Sequence, residues 1–101
     1  MIIIAKGNEI RCKKCSKLYK ISPDDFGKPK TNSDERSMGY ETQYIWKYEF
    51  NCDQCENELK ITIEVYEYPI GILNYKEFHA EGCLIITEPS LELINEEYEN
   101  D

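Results

Sequence analysis

The strongest constraint on the fold is a pair of Cys-x-x-Cys motifs, Cys12/Cys15 and Cys52/Cys55, with 36 residues between them. The two residues inside each motif allow both of its sulfurs to turn toward one point. Two such motifs together supply the four thiolates of a closed tetrahedral site, which structural Zn²⁺ prefers and iron also accepts. One motif alone would also fit a redox site, but two favour a metal. The sequence therefore predicts a four-cysteine site for zinc, with iron as the alternative.

The composition indicates one small domain in a reducing compartment. A chain of 101 residues lies near the lower size limit for stability from hydrophobic burial alone, so a metal would add materially to folding. Five cysteines are an odd number, and the apolar run Ile2–Ile4 is too short for a signal peptide or a membrane span. We therefore expect residues 1–101 to form a single cytoplasmic domain without disulfides and without a membrane association.

The net charge of −8 is divided unevenly along the chain. Residues 1–30 carry eight Lys or Arg against three acidic residues, a net charge of +5. Residues 31–101 carry four Lys or Arg against seventeen acidic residues, a net charge of −13, with an acidic C-terminal segment at 88–101. Because a net-acidic domain is repelled by nucleic acid, the composition favours a protein partner over DNA or RNA.

Alternating hydrophobicity predicts that both cysteine motifs lie in β-hairpins. The two predicted metal knuckles cover residues 9–21 and 44–65. Further strands are expected at Ile2–Ala5 and Gly82–Thr87. The alternation around the second motif comprises Tyr40, Thr42, Tyr44, Trp46, Tyr48 and Phe50 before it, and Leu59, Ile61, Ile63 and Val65 after it.

Three other segments complete the predicted fold. The string Ser22-Pro23-Asp24-Asp25 predicts the start of a one-turn helix near residues 23–27, because Ser caps helices, Pro tolerates the first position and acidic residues complement the dipole. Residues 28–39 are polar and predict an exposed loop. The apolar spacing in residues 90–98 fits a strand and a short helix equally well. The predicted fold class is a small β-rich domain, all-β or α+β.

With the motifs placed on hairpins, residues 9–68 resemble a zinc ribbon, in which two metal knuckles lie on antiparallel strands. Ribbon knuckles usually carry Gly after the second cysteine, because the backbone there tends toward positive φ. Ser16 and Glu56 take that position in this sequence. Asn57 tolerates positive φ better than Lys17, so this departure predicts a distorted first knuckle. The resemblance implies a closed, structural metal site that performs no chemistry.

A second set of residues resembles a small zinc-ribbon module of bacterial restriction and anti-phage defence proteins. This resemblance covers roughly residues 9–90 and implies an accessory role in a defence or restriction assembly. The residues that carry it are Ser37-Met38-Gly39-Tyr40-Glu41, Cys52 and Cys55, Tyr68-Pro69-Ile70-Gly71, Asn74-Tyr75 and Glu88-Pro89.

The remaining candidates for chemistry are Cys83 and the single histidine, His79, four residues apart. On a helix they would face each other as a nucleophile pair or a metal half-site, but Gly82 and the β-rich run after it oppose a helix. Burial habit favours Cys83 as a structural cysteine. No acidic residue forms a pattern with a base or nucleophile, so we expect no enzymatic activity.

Two kinds of binding surface compete. Most of the aromatic stripe is expected in the core, whereas its outer members with Tyr66 and Tyr68 are candidate contacts for a protein partner, because tyrosine is enriched at interface hot spots. The alternative is a nucleic-acid-binding ribbon that uses the basic first knuckle, with Tyr19 stacking on bases. Partner identity and homo-oligomerisation stay open. The basic residues of this alternative are Arg11, Lys13, Lys14, Lys17 and Lys20.

Overall fold

A computed structural model of the chain describes residues 1–94, which form nine strands and one short helix. The predicted β-rich fold class is confirmed. The only helix of the described part has four residues, so no helix there is long and apolar enough to cross a membrane. The elements are β1 (Ile2–Lys6), β2 (Asn8–Cys12), β3 (Leu18–Ile21), α1 (Pro23–Phe26), β4 (Lys30–Arg36), β5 (Gly39–Asn51), β6 (Glu58–Glu67), β7 (Leu73–Glu81), β8 (Cys83–Thr87) and β9 (Ser90–Leu93).

The strands form three antiparallel sheets. The largest is the meander β4-β5-β6-β7, in which each strand pairs with the next along the chain. A second sheet has the order β3-β2-β8, and a third consists of β1 and β9. The later strands β8 and β9 thus return to the first two strands. As a result, the N-terminal hairpin with the first cysteine motif is held by long-range pairing.

The β5–β6 hairpin forms as the alternation predicts, and its two strands supply six of the fourteen buried hydrophobic residues of the described chain. Trp46 lies opposite Ile63, and Phe50 lies opposite Leu59. The indole of Trp46 stacks on the Tyr44 ring at a centroid distance of 5.9 Å. The outer end of the stripe, Tyr40, is exposed. The inner stripe is therefore core, as expected; the fully or nearly buried members are Tyr44, Trp46, Leu59, Ile61, Ile63 and Val65.

The predicted one-turn helix is confirmed at Pro23–Phe26. The Ser22 N–H donates to Asp25 Oδ2 at 2.9 Å, which satisfies a backbone donor at the helix start. Phe26 is buried and its ring meets the edge of Tyr48 at 6.1 Å. Gly27, at φ +67°, ends the turn in a conformation that glycine adopts without strain.

One prediction about the irregular segments needs correction, and one strand was missed. The loop predicted for residues 28–39 is wrong, because Lys30–Arg36 forms strand β4 in continuous register with β5. All seven residues of β4 are exposed, so pairing with the backbone of β5, and not burial of side chains, stabilises this strand. Its polar composition therefore gave no hydrophobic pattern from which to predict it. Strand β7 was not predicted at all. The undecided segment 90–98 begins as strand β9, and its residues 95–98 lie outside the described part of the chain.

Candidate metal centre

The four predicted ligands converge at the tips of two hairpins. Their sulfurs all lie within 4.8 Å of one another. The Sγ atoms of Cys12 and Cys55 are 3.6 Å apart, and those of Cys15 and Cys52 are 3.5 Å apart. These thiols are free, since a disulfide would bring two sulfurs to about 2.05 Å. A tetrahedral ion with metal–sulfur bonds of ~2.3 Å sets its sulfurs about 3.8 Å apart, so the spacing fits a bound metal.

The two knuckles share one backbone conformation. In each knuckle the carbonyl of the first cysteine accepts a hydrogen bond from the N–H four residues later, at 2.8–2.9 Å. The N–H of that cysteine donates to the carbonyl five residues later, also at 2.8–2.9 Å. Ser16 has φ +66° and Glu56 has φ +63°. The predicted distortion of the first knuckle is therefore wrong, because Ser16 itself adopts the left-handed conformation, as Glu56 does in the second.

The four thiols of the cluster differ in how readily they ionise. Cys12 and Cys52 are buried, whereas Cys15 and Cys55 are half-buried. The Tyr19 hydroxyl lowers the pKa of Cys52 to about 6. The Lys17 backbone N–H favours the Cys15 thiolate, but burial and the adjacent sulfurs outweigh it and raise the pKa of Cys15 to about 12. All four sulfurs would be thiolates together only beside a cation that neutralises their repulsion, and this donor set suits Zn²⁺.

The first knuckle contributes a clamp to the second. The Tyr19 hydroxyl lies 3.2 Å from Cys52 Sγ and 2.6 Å from Asp53 Oδ1, and it accepts the Asp53 backbone N–H at 3.1 Å. The Lys17 ammonium pairs with the same carboxylate. The Tyr19 ring meets the edge of Phe50 at 5.0 Å. Tyr19 is therefore engaged on both its polar and its apolar sides, and it positions a ligand instead of presenting a stacking platform.

The second knuckle contributes a clamp to the first. Asn57 Nδ2 lies 3.7 Å from Cys12 Sγ and donates to the Gly82 carbonyl at 3.1 Å. The same carbonyl accepts the Lys13 backbone N–H at 3.1 Å. Gly82 has φ +75°, and a Cβ there would collide with the Glu58 carbonyl oxygen. Sequence reasoning missed Asn57 and Gly82 as supports of the site, because only long-range pairing brings β8 behind both knuckles.

Cys83 and His79 do not form a second site. Cys83 is 2% exposed, lies opposite Cys12 in the β2–β8 pair and points its thiol toward the Lys60 carbonyl at 3.9 Å. Burial raises its pKa. His79 lies in β7, half exposed, with Nε2 3.3 Å from Glu77 Oε1. The expectation that Cys83 is a buried structural cysteine is confirmed, and the two side chains lie in different sheets.

The candidate interface tyrosines both make intramolecular hydrogen bonds. The Tyr66 hydroxyl accepts from Gln43 Nε2 at 2.8 Å, and the ring lies 5.9 Å from Tyr75. The Tyr68 hydroxyl accepts the Met38 backbone N–H at 3.1 Å. Both tyrosines are half-buried, so they brace the sheet as well as line its surface.

Among the basic residues of the first knuckle, Lys17 differs from the others. Its ammonium is paired with Asp53 and lies 5.2 Å from the Tyr19 ring centroid. The remaining basic side chains are exposed, and they are Arg11, Lys13, Lys14 and Lys20.

No protein-family model, no curated protein and no solved structure shows significant similarity to this chain. The fold and the site alone therefore define the class of protein, which is a small antiparallel β protein with a four-cysteine cluster that is able to hold a metal ion.

Proposed function

We propose that the protein is a non-catalytic interaction module of the zinc-ribbon type, stapled by one zinc ion. The observation that carries this proposal is the convergence of Cys12, Cys15, Cys52 and Cys55 on two knuckles of the same conformation. Four cysteine ligands complete a tetrahedron and leave no position for water or substrate. The ion would therefore contribute to folding stability and not to catalysis, and the absence of enzymatic activity is part of the proposal.

The first test is metal content. Protein purified without added metal should contain about one equivalent of zinc, with iron as the alternative that elemental analysis distinguishes. Cys52→Ser should lose the metal and lower the melting temperature by roughly 10 °C or more, because metal binding and folding are coupled in small domains.

The matched control is Cys83→Ala, which removes a buried thiol that lies outside the cluster. This variant should keep the full equivalent of metal and lose only about 1 kcal/mol of stability from the small cavity. Release of metal by Cys83→Ala, or an unchanged melting temperature after chelation of the wild type, would contradict the proposal.

The surface proposed for a protein partner is the end of the large sheet farthest from the knuckles. Two turns meet there, residues 37–38 and 68–72, and the Tyr68 hydroxyl joins them through Ser37 and Met38. We call them the distal turns. Exposed apolar side chains cluster at this end, as expected for an interaction surface; they are Met38, Tyr40, Ile70 and Ile72.

The setting proposed for this module is a bacterial defence or restriction assembly in the cytoplasm. Its support is the sequence resemblance over residues 9–90, since the strings Ser37–Glu41 and Tyr68–Gly71 of that resemblance lie at the distal turns. The five free cysteines agree with a reducing compartment. Affinity purification from the native host would test the setting, because defence proteins should be recovered with the tagged chain.

A nucleic-acid-binding ribbon is the alternative, and we rank it second. Exposed Arg11, Lys13, Lys14 and Lys20 favour it. The net charge of −8 opposes it, and Tyr19 is held by Cys52, Asp53 and Phe50.

A further inference from the structure

A cleft of about 450 Å³ opens in the protein, and none of residues 12–15 or 52–55 lines it. Strand β1 forms one wall, and the other is formed by α1, with Pro23, and by the connection that follows it, with Pro29. The stacked rings of Tyr44 and Trp46 form part of its lining. The cleft therefore offers an apolar and aromatic surface of the size that small-molecule sites have, about 300–1,000 Å³.

A second hollow of about 400 Å³ continues from the first and contains a carboxylate. The two share Met1, Thr31 and Tyr44 in their linings, and the second adds Glu67 and Ile70. Together they make one trough with an apolar end and an anionic end.

Glu67 is unusual because it is a charged residue on the buried face of β6, only 4% exposed. Oε1 accepts the Tyr44 hydroxyl at 2.7 Å, and Oε2 accepts the Gly71 N–H at 2.8 Å. Burial opposes ionisation, but these two donors and the N-terminal ammonium outweigh it and lower the pKa of Glu67. The carboxylate is therefore anionic at neutral pH.

The Glu67 carboxylate has no cation at hydrogen-bond distance among residues 1–94. The nearest cation is the ammonium of Met1, 3.7 Å from Glu67 Oε1. The side chain of Met1 is about half exposed, whereas that of Glu67 is buried. A buried carboxylate with two hydrogen bonds still has acceptor positions to offer, and a buried charge is stabilised by a close, opposite one. The Met1 ammonium supplies opposite charge only at ion-pair distance, so a ligand ammonium at hydrogen-bond distance would add to that ion pair or displace it.

We propose that this trough binds a small primary amine with an apolar or aromatic body, its ammonium on Glu67 and its body along Tyr44 and Trp46. The ammonium complements the buried carboxylate, and the body matches the lining of the cleft. The trough contains none of the four cysteines, and at its anionic end it borders the distal turns through Ile70 and Gly71.

Trp46, the only tryptophan, reports on binding directly. Emission excited at a wavelength specific for tryptophan should change saturably when 2-phenylethylamine is added to the zinc-loaded protein. Its neutral isostere 2-phenylethanol should bind about tenfold more weakly or worse, because a charge-assisted hydrogen bond is lost, and the anion 3-phenylpropionate should not bind. Equal binding of amine and alcohol would overturn the proposal.

Two variants assign the effect to the trough. Glu67→Gln should abolish the preference for the amine over the alcohol. Thr31→Trp should fill the trough and remove binding of both compounds, whereas Asn32→Trp, one residue along β4 and on the opposite face, should leave binding unchanged. If the melting temperature of Glu67→Gln lies far below that of the wild type, the comparison of Thr31→Trp with Asn32→Trp tests the site instead.

A preference for the amine that survives Glu67→Gln, or equal loss in Thr31→Trp and Asn32→Trp, would contradict the site. Tighter binding of a short lysine-containing peptide than of the free amine would contradict the assignment to a small molecule.

Discussion

At the residue scale, the knuckles impose a conformation that their sequence does not favour. Ser16 and Glu56 hold φ near +65°, where glycine is the residue without strain. A non-glycine residue in this region costs on the order of 1 kcal/mol and persists only when its surroundings determine the backbone. Here the two hydrogen bonds of each knuckle, and four sulfurs aimed at one point, fix that backbone.

Glu56→Gly should therefore stabilise the zinc-loaded protein by about 0.5–1 kcal/mol, since relief of strain exceeds the added entropy of the unfolded chain. Gln54→Gly, in the same knuckle but without positive φ, is the control and should destabilise by a similar amount. Urea unfolding at a fixed free zinc concentration measures both. Destabilisation by Glu56→Gly would show that the Glu56 side chain contributes more than the strain costs.

At the element scale, β8 acts as the common support of both knuckles. Gly82, just before β8, receives hydrogen bonds from Lys13 in one knuckle and Asn57 in the other. The close approach of its backbone to Glu58 leaves no space for a side chain. The conformation of both knuckles thus depends on Gly82, a residue that is not a metal ligand.

Gly82→Ala should destabilise the protein by roughly 3 kcal/mol or more, because it combines positive φ with a collision against backbone. Gly71→Ala is the matched control: its φ of +94° imposes similar strain, but no atom lies within 4 Å of the added Cβ. We expect it to cost about 1 kcal/mol. Thermal unfolding of the two zinc-loaded variants measures the difference, and equal losses would mean that the collision is relieved by a small backbone shift.

The ligands of the site are predictable from sequence, whereas its supports are not. The spacing inside each Cys-x-x-Cys motif is a local signal, and the alternation from Tyr44 to Val65 places the second motif on a hairpin. The contacts of Tyr19, Asn57 and Gly82 arise from pairings between distant segments, which no local pattern reports.

The two missed strands have a similar cause. Strand β4 is an edge strand whose side chains all face solvent, so it carries no hydrophobic period. Strand β7 has no buried residue, with five of its nine residues exposed, and a register shift opposite Tyr66 and Glu67 breaks its alternation. In both strands, pairing with the backbone of a neighbouring strand determines the extended conformation. The strand's own sequence is compatible with that conformation but does not predict it.

At the scale of the whole molecule, the described residues form an elongated body of 47 × 29 × 18 Å. The 13-residue strand β5 spans about 40 Å between the second knuckle and the distal turns. The cysteine cluster and the proposed partner surface thus lie at opposite ends of β5, which makes their effects separable by mutation.

Ile70→Asp with Ile72→Asp should remove a co-purifying partner without changing the zinc content, since both side chains are more than half exposed. Leu84→Asp with Ile86→Asp is the matched control, because these aliphatic residues are about equally exposed on another sheet. The measurement is quantitative affinity purification of tagged variants from the native host.

Retention of the partner by the distal variant, or its loss from the control alone, would contradict the distal turns as the contact. The nucleic-acid alternative predicts another pattern. Capture would then be sensitive to nuclease and to ~150 mM salt, and Lys13→Glu with Lys14→Glu would abolish it.

The pairing of β2 with β8 has a consequence for synthesis on the ribosome. When Cys12 and Cys15 emerge, the chain offers a metal only two sulfurs, and the other two follow after 36 further residues. The β2–β3 hairpin and the β4–β7 meander use neighbouring segments and are able to form early, whereas the pairing of β2 with β8 must wait for residues 83–87. The first knuckle is therefore the first half of the site to be made and the last to be secured.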